Sequence, residues 1–123
     1  MVSATLHDRR ILVAEDEYMI ADSFCAELED AGAIVVGPVA SVQDTMKLIC
    51  TTDGLDGAIL DVNLRGAMSF PAADLLVARG MPFVFTTGCP TTAIPGRFAH
   101  IPRCEKPVST TRVVRALSRV LQS

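Results

Sequence analysis

Ile11-Leu12-Val13-Ala14-Glu15-Asp16-Glu17 sets four apolar side chains directly against three carboxylates. An unbroken apolar run of this length, without alternation, suits a strand buried on both faces, as in a parallel sheet. Downstream, Ile20, Phe24, Leu28 and Ala31 recur at helical spacing, and Gly32 is a natural stop. The unit is therefore strand, acidic turn, helix. It repeats: Ile34-Val35-Val36 reads as a second strand, closed by Gly37-Pro38. Ser41 with Asp44 caps a helix whose stripe is Val42, Met46 and Ile49. Gly57-Ala58-Ile59-Leu60 is a third strand ending at Asp61. A glycine-containing loop from Asn63 to Phe70 follows, and Pro71 starts a helix carrying Ala72, Leu75, Leu76 and Ala78.

The second half of the chain is less regular. Phe83 to Phe85 form a fourth strand leading into Thr86-Thr87-Gly88. Pro90, Pro95 and Gly96 leave room only for a short or broken helix near Thr92 to Phe98. His100-Ile101 is the weakest strand expectation, because Pro102 lacks the amide that a sheet interior uses. Ser109 then caps a last helix with Val113, Val114, Leu117, Val120 and Leu121 on one face, and Arg112, Arg115 and Arg119 largely on another. Five such units predict an α/β fold, a five-stranded parallel sheet with helices on both faces and an irregular or shortened fourth helix.

The chain has 123 residues, the size of one domain. The polar residues 1–8 read as a flexible N-terminus and 9–123 as the domain. Eleven Lys plus Arg against fourteen Asp plus Glu give a net charge of −3, which argues against a general nucleic-acid surface. No apolar run approaches the roughly 20 residues that cross a bilayer, and no signal-like segment precedes the first strand, so no membrane insertion is expected. Cys25, Cys50, Cys89 and Cys104 form no close pair, and His7 and His100 give no zinc spacing. Free thiols and a cytoplasmic location follow.

In an open α/β sheet, ligands bind beyond the carboxyl ends of the strands, near the point where strand order reverses. The residues expected there are Glu15 and Asp16, Asp61, Thr86-Thr87 and Lys106. Three carboxylates without a cation would repel, and an Mg²⁺ ion, which prefers oxygen ligands, resolves this. An Asp carboxylate is a nucleophile toward phosphorus, and a transferring phosphoryl group needs Mg²⁺, an ammonium and hydroxyl or amide donors around it. Asp61, Asp16 with Glu15, Lys106, Thr87 and the Gly88 amide supply that set.

Four pieces, Ile11 to Glu17, Ala58-Ile59-Leu60-Asp61-Val62-Asn63-Leu64, Phe83-Val84-Phe85-Thr86-Thr87-Gly88 and Glu105-Lys106-Pro107, stand in the order found in the receiver domains of two-component response regulators. The chain resembles that family over roughly residues 9 to 121. The resemblance implies the flavodoxin-like (βα)5 receiver fold, with Asp61 as phosphoacceptor and Asp16 as a direct Mg²⁺ ligand. Glu15 is then a second acidic residue acting through water, and the Asn63 backbone carbonyl a further ligand whose side chain need not matter. Lys106 would pair with the phosphoryl oxygens, and Thr87, followed by Gly88, would be the switch hydroxyl. Alternation would turn Thr86 toward a helix layer. Pro107 matches the family's cis-bonded proline, and Glu17 reads as a favourable charge at a helix start.

Two departures stand out. The second switch position, usually aromatic, is Arg103, and the segment between Thr87 and Lys106 is short. Both fall on the face that most receivers use for output or dimerisation. The Phe-Val-Phe-x-Thr-Gly strand end resembles a proteobacterial subgroup of often stand-alone receivers linked to histidine kinases of stress or general signalling.

The resemblance implies a stand-alone phosphoacceptor that takes its phosphoryl group from a histidine kinase or histidine phosphotransfer protein. It would signal through a downstream protein or act as a phosphate sink, with a homodimer as a further option. Such a chain is not an enzyme on outside substrates, though self-phosphorylation from small donors and self-dephosphorylation accompany it. The alternatives are a degenerate receiver that binds partners without phosphorylation, and a phosphatase with an aspartyl-phosphate intermediate. The phosphatase needs a second Asp where this chain has Asn63.

Overall fold

The computed structural model describes residues 6–88, 94–107 and 109–122. In chain order the elements are β1 (Arg10–Ala14), α1 (Tyr18–Asp30), β2 (Ile34–Val39), α2 (Val42–Thr51), β3 (Leu55–Asp61), β4 (Asn63–Leu64), β5 (Ala67–Met68), α3 (Phe70–Ala78), β6 (Phe83–Thr87), β7 (Arg103–Glu105) and α4 (Thr110–Leu121). Five strands form one parallel sheet in the order β2-β1-β3-β6-β7, as the repeated strand-and-helix pattern predicts.

Successive side chains of each strand enter opposite layers. Ile11, Val13, Ile59 and Val84 pack with Phe24, Leu28, Val113 and Leu117 under α1 and α4. Leu12, Ala14, Ala58, Leu60, Phe83 and Phe85 pack with Ile49, Ala72 and Leu76 under α2 and α3. Burial on both faces is why these strands read as continuous apolar runs. The caps form as expected: Ser41 Oγ accepts from Asp44 N at 3.1 Å, and Ser109 Oγ from Arg112 N at 3.3 Å. Gly32, at φ +88°, ends α1 in the left-handed conformation that glycine tolerates.

Three expectations need correction. Residues 6–8 are not a loose end: Leu6 is buried in the α1/α4 layer, and its amide and that of Asp8 bond to Ala31 O and Gly32 O. The segment from Asn63 is not plain loop, since β4 and β5 pair antiparallel around Arg65-Gly66. The fifth strand lies at Arg103–Glu105 rather than at His100-Ile101. Pro102 only precedes it, and contributes its carbonyl to Phe85 N at 2.9 Å. Between β6 and β7 the described residues hold one 3₁₀ turn, Gly96–Phe98, in keeping with the short or broken helix expected there.

That turn is seated by side chains. Phe98 is buried among Phe70, 5.8 Å away and stacked, and Phe85, 5.6 Å away and edge-on. Arg97 grips Asp74 of α3 through two hydrogen bonds of 2.8 and 3.1 Å, and its guanidinium lies 4.6 Å over the Phe98 ring. The segment is thus clamped to α3.

Candidate functional site

The site follows from register. Ala14 pairs with Leu60, Asp61 with Thr86, and Thr87 with Glu105, so the residues leaving β1, β3, β6 and β7 emerge side by side. The sheet order reverses between β1 and β3, the point at which this architecture opens a crevice. Glu15 is fixed there by its amide, which bonds to Val39 O at 2.9 Å.

Lys106 is the hub. Its ammonium lies 2.7 Å from Asp61 Oδ2, 3.1 Å from Glu15 Oε1, 3.3 Å from Glu15 Oε2 and 3.9 Å from Glu17 Oε1. Asp61 Oδ1 accepts from the Asn63 amide at 3.1 Å, and Glu15 Oε2 from the Glu17 amide at 2.9 Å. Glu15 and Asp61 are buried and Asp16 is exposed, yet ligand oxygens of all three lie within 4.8 Å of one another.

Burial pushes the Glu15 carboxyl up to about 7. The Asp61 charge adds to this, against the Glu17 amide and Lys106. Burial would also raise Asp16, but the Arg65 amide, Glu15 and Lys106 outweigh it and hold it below the usual Asp range. For Lys106, burial favours the neutral amine, and the bonds to Asp61 and Glu15 overcome it, holding the ammonium above its ordinary value.

The donor set fits a hard divalent cation. It offers only oxygens, and three carboxyl groups face a single ammonium. Glu15 Oε1, fully buried, lies close to Lys106 but out of line for a hydrogen bond, and has no other partner among the described residues.

Solved structures give the same picture. No protein-family model matches the chain, and no curated protein does. A response regulator receiver protein from Sinorhizobium medicae superposes with a TM-score of 0.78 at 23% identity, covering 96% of this chain and 98% of that one. SdrG from Sphingomonas melonis is 38% identical, with a TM-score of 0.76 over 94% of this chain and 98% of its own. The chain belongs to the response regulator receiver domains. A BeF3-activated conformation of SdrG matches this receiver over 98% of the chain, with a TM-score of 0.74 and 38% identity.

The receiver fold brings Glu15, Asp16, Asp61, Asn63, Thr87, Gly88 and Lys106 to one edge. Thr87 is buried at the end of β6, and its carbonyl accepts from Lys106 N at 2.7 Å. A Cβ on Gly88 would meet Lys106 Cδ at an ordinary 3.7 Å, which places Gly88 beside the lysine stem. Thr86 falls in the α1/α4 layer with Val84, as alternation requires, and its buried hydroxyl has no hydrogen-bond partner among the described residues. The Lys106-Pro107 bond is cis. Arg103 is exposed on the edge strand opposite Phe85 and has no ion-pair partner among the described residues.

Cys25, Cys50 and Cys104 are free, and burial raises the Cys25 and Cys104 thiols, the reverse of what a reactive thiolate needs. Cys89 lies outside the described residues. His7 stands beside Asp8 on the surface, and His100 lines a groove of about 410 Å³ at the amino ends of β6 and β7, away from the carboxylates.

Three contributors escape the sequence. Ser69 is wholly buried, donates from Oγ to the Asp61 carbonyl at 2.6 Å, and its amide bonds to Val62 O at 2.8 Å. Asp16 Oδ2 accepts from the Arg65 amide at 2.9 Å. The Asn63 side chain does matter, because its Oδ1 takes the Gly66 amide at 2.8 Å and closes the β4–β5 turn. Ser followed by Phe70-Pro71 at a helix start is the one signal that could have drawn attention to Ser69.

Proposed function

We propose that this receiver accepts a phosphoryl group on Asp61 and signals by protein binding. The observation that carries the reading is the Lys106 ammonium 2.7 Å from Asp61 Oδ2, inside a ring of carboxylates at the sheet's switch point. In the transfer, an Asp61 oxygen attacks phosphorus while the bond from phosphorus to the donor's imidazole nitrogen breaks. The electron pair leaves with that nitrogen, which takes up a proton. With acetyl phosphate the broken bond is P–O and acetate departs.

Asp16 and Asp61, with Glu15 and the Asn63 carbonyl, are the residues that would hold Mg²⁺, which supplies charge neutralisation at the transferring group. Lys106 binds the phosphoryl oxygens, Thr87 offers its hydroxyl, and the Asn63 amide orients the Asp61 carboxylate before transfer. Donation from a histidine kinase or phosphotransfer protein in the cytoplasm fits this chemistry, and the likeness to a protein with a BeF3-activated conformation supports it. Arg103 in place of an aromatic ring implies an altered readout of the switch.

Incubation with Mg²⁺ and acetyl phosphate, followed by intact mass measurement, tests the proposal. A gain of one phosphoryl group, about 80 Da, is expected in the wild type, reversed by hydroxylamine and missing in Asp61→Asn. Labelling that persists in the variant, or no labelling with either acetyl phosphate or a kinase, excludes it.

A further inference from the structure

We propose that Arg65 is a second cation for the group carried on Asp61, acting beside Lys106; this rests on the phosphoacceptor reading. Arg65 stands at the first turn position of the β4–β5 hairpin with φ +54°, and Gly66 follows at +85°. Two positive φ values define the tight hairpin turn for which Asn-Gly is the favoured pair. An arginine in the left-handed region is disfavoured, because its Cβ crowds the following carbonyl. Local preference is thus overridden at one residue beside the site, a pattern that points to function.

Placement agrees. The Arg65 amide is held on Asp16 Oδ2, and an Asp16 oxygen lies within 4.8 Å of Asp61, so a guanidinium on its three-methylene stem can span the remaining gap. Its side chain is exposed, and among the described residues it has no ion-pair partner. A planar guanidinium presents paired donors that match phosphoryl oxygens, a geometry that the Lys106 point charge does not offer. A phosphoryl group on Asp61 adds the charge that would draw it in.

The experiment is a BeF3⁻ titration in Mg²⁺ followed by amide NMR shifts, with thermal midpoints measured alongside. Arg65→Asn keeps the turn and should match or exceed the wild-type midpoint, yet bind BeF3⁻ roughly three- to tenfold more weakly. Arg65→Lys should fall between the two. Unchanged affinity in Arg65→Asn, with wild type binding normally, overturns the role of Arg65 alone. A wild type that never binds BeF3⁻ removes the phosphoacceptor reading beneath it.

Discussion

Glu15 carries an unusual electrostatic load for a single side chain. Its folded carboxyl titrates near 7 and its unfolded one near 4.5, with burial the main cause. The folded state therefore holds this proton more tightly than the unfolded state does. The stability it contributes is fully present below about 4.5 and is lost as pH rises through about 7. Asp16, whose folded value is lowered, slopes the other way and loses its contribution only as pH falls into the acid range. In EDTA, Glu15→Gln should gain on the wild type as pH rises from 5 to 8, by about 2–3 kcal/mol in denaturant midpoints. Parallel pH curves for the two proteins would refute this. Residue type and strand ending together made Glu15, Asp61 and Lys106 readable in advance. Arg65 stayed hidden, because the Asp16 contact uses its main-chain amide and any residue except proline could supply it.

The segment 94–102 shows an element whose place is kept without its usual secondary structure. Pro95 and Gly96 interrupt helical propagation, and Phe98 provides the fixing that successive backbone hydrogen bonds would give. Phe98→Ala should cost about 3–4 kcal/mol in chemical unfolding, the range for an emptied aromatic core position. Asp74→Asn, which loosens an exposed ion pair, should leave the midpoint near wild type. The reverse ranking would mean that charge, rather than ring packing, seats the turn. Propensity correctly read this region as broken but could not show what replaces a helix. The β4–β5 hairpin was missed because two-residue strands are too short for periodicity. β7 was placed early because Ile101 is its neighbourhood's apolar residue, whereas pairing with β6 selects Arg103–Glu105.

Across the whole molecule, the candidate site has no local existence. Its carboxylates and ammonium come from three separate strand ends, so cation binding is binding to the folded state. A hundredfold excess of Mg²⁺ over its Kd should stabilise the chain by about 2.7 kcal/mol, which is several degrees in melting temperature. Asp16→Asn should abolish most of that shift; a shift that survives intact would place the ion elsewhere. The five-unit rhythm of strand and helix foretold the sheet, because each strand is buried on both sides and announces itself by composition alone. Strand order and register arise from contacts distant in sequence, and no local pattern encodes them.

The Lys106 to Glu15 contact joins positions 91 residues apart. During synthesis the carboxylates emerge first, and the lysine that balances them follows only after β1 to β6 are outside the ribosome. A nascent chain halted before β7 would hold its acidic residues without their ammonium partner. The charge balance of the site is therefore set only when β7 joins the sheet and brings Lys106 against Glu15 and Asp61.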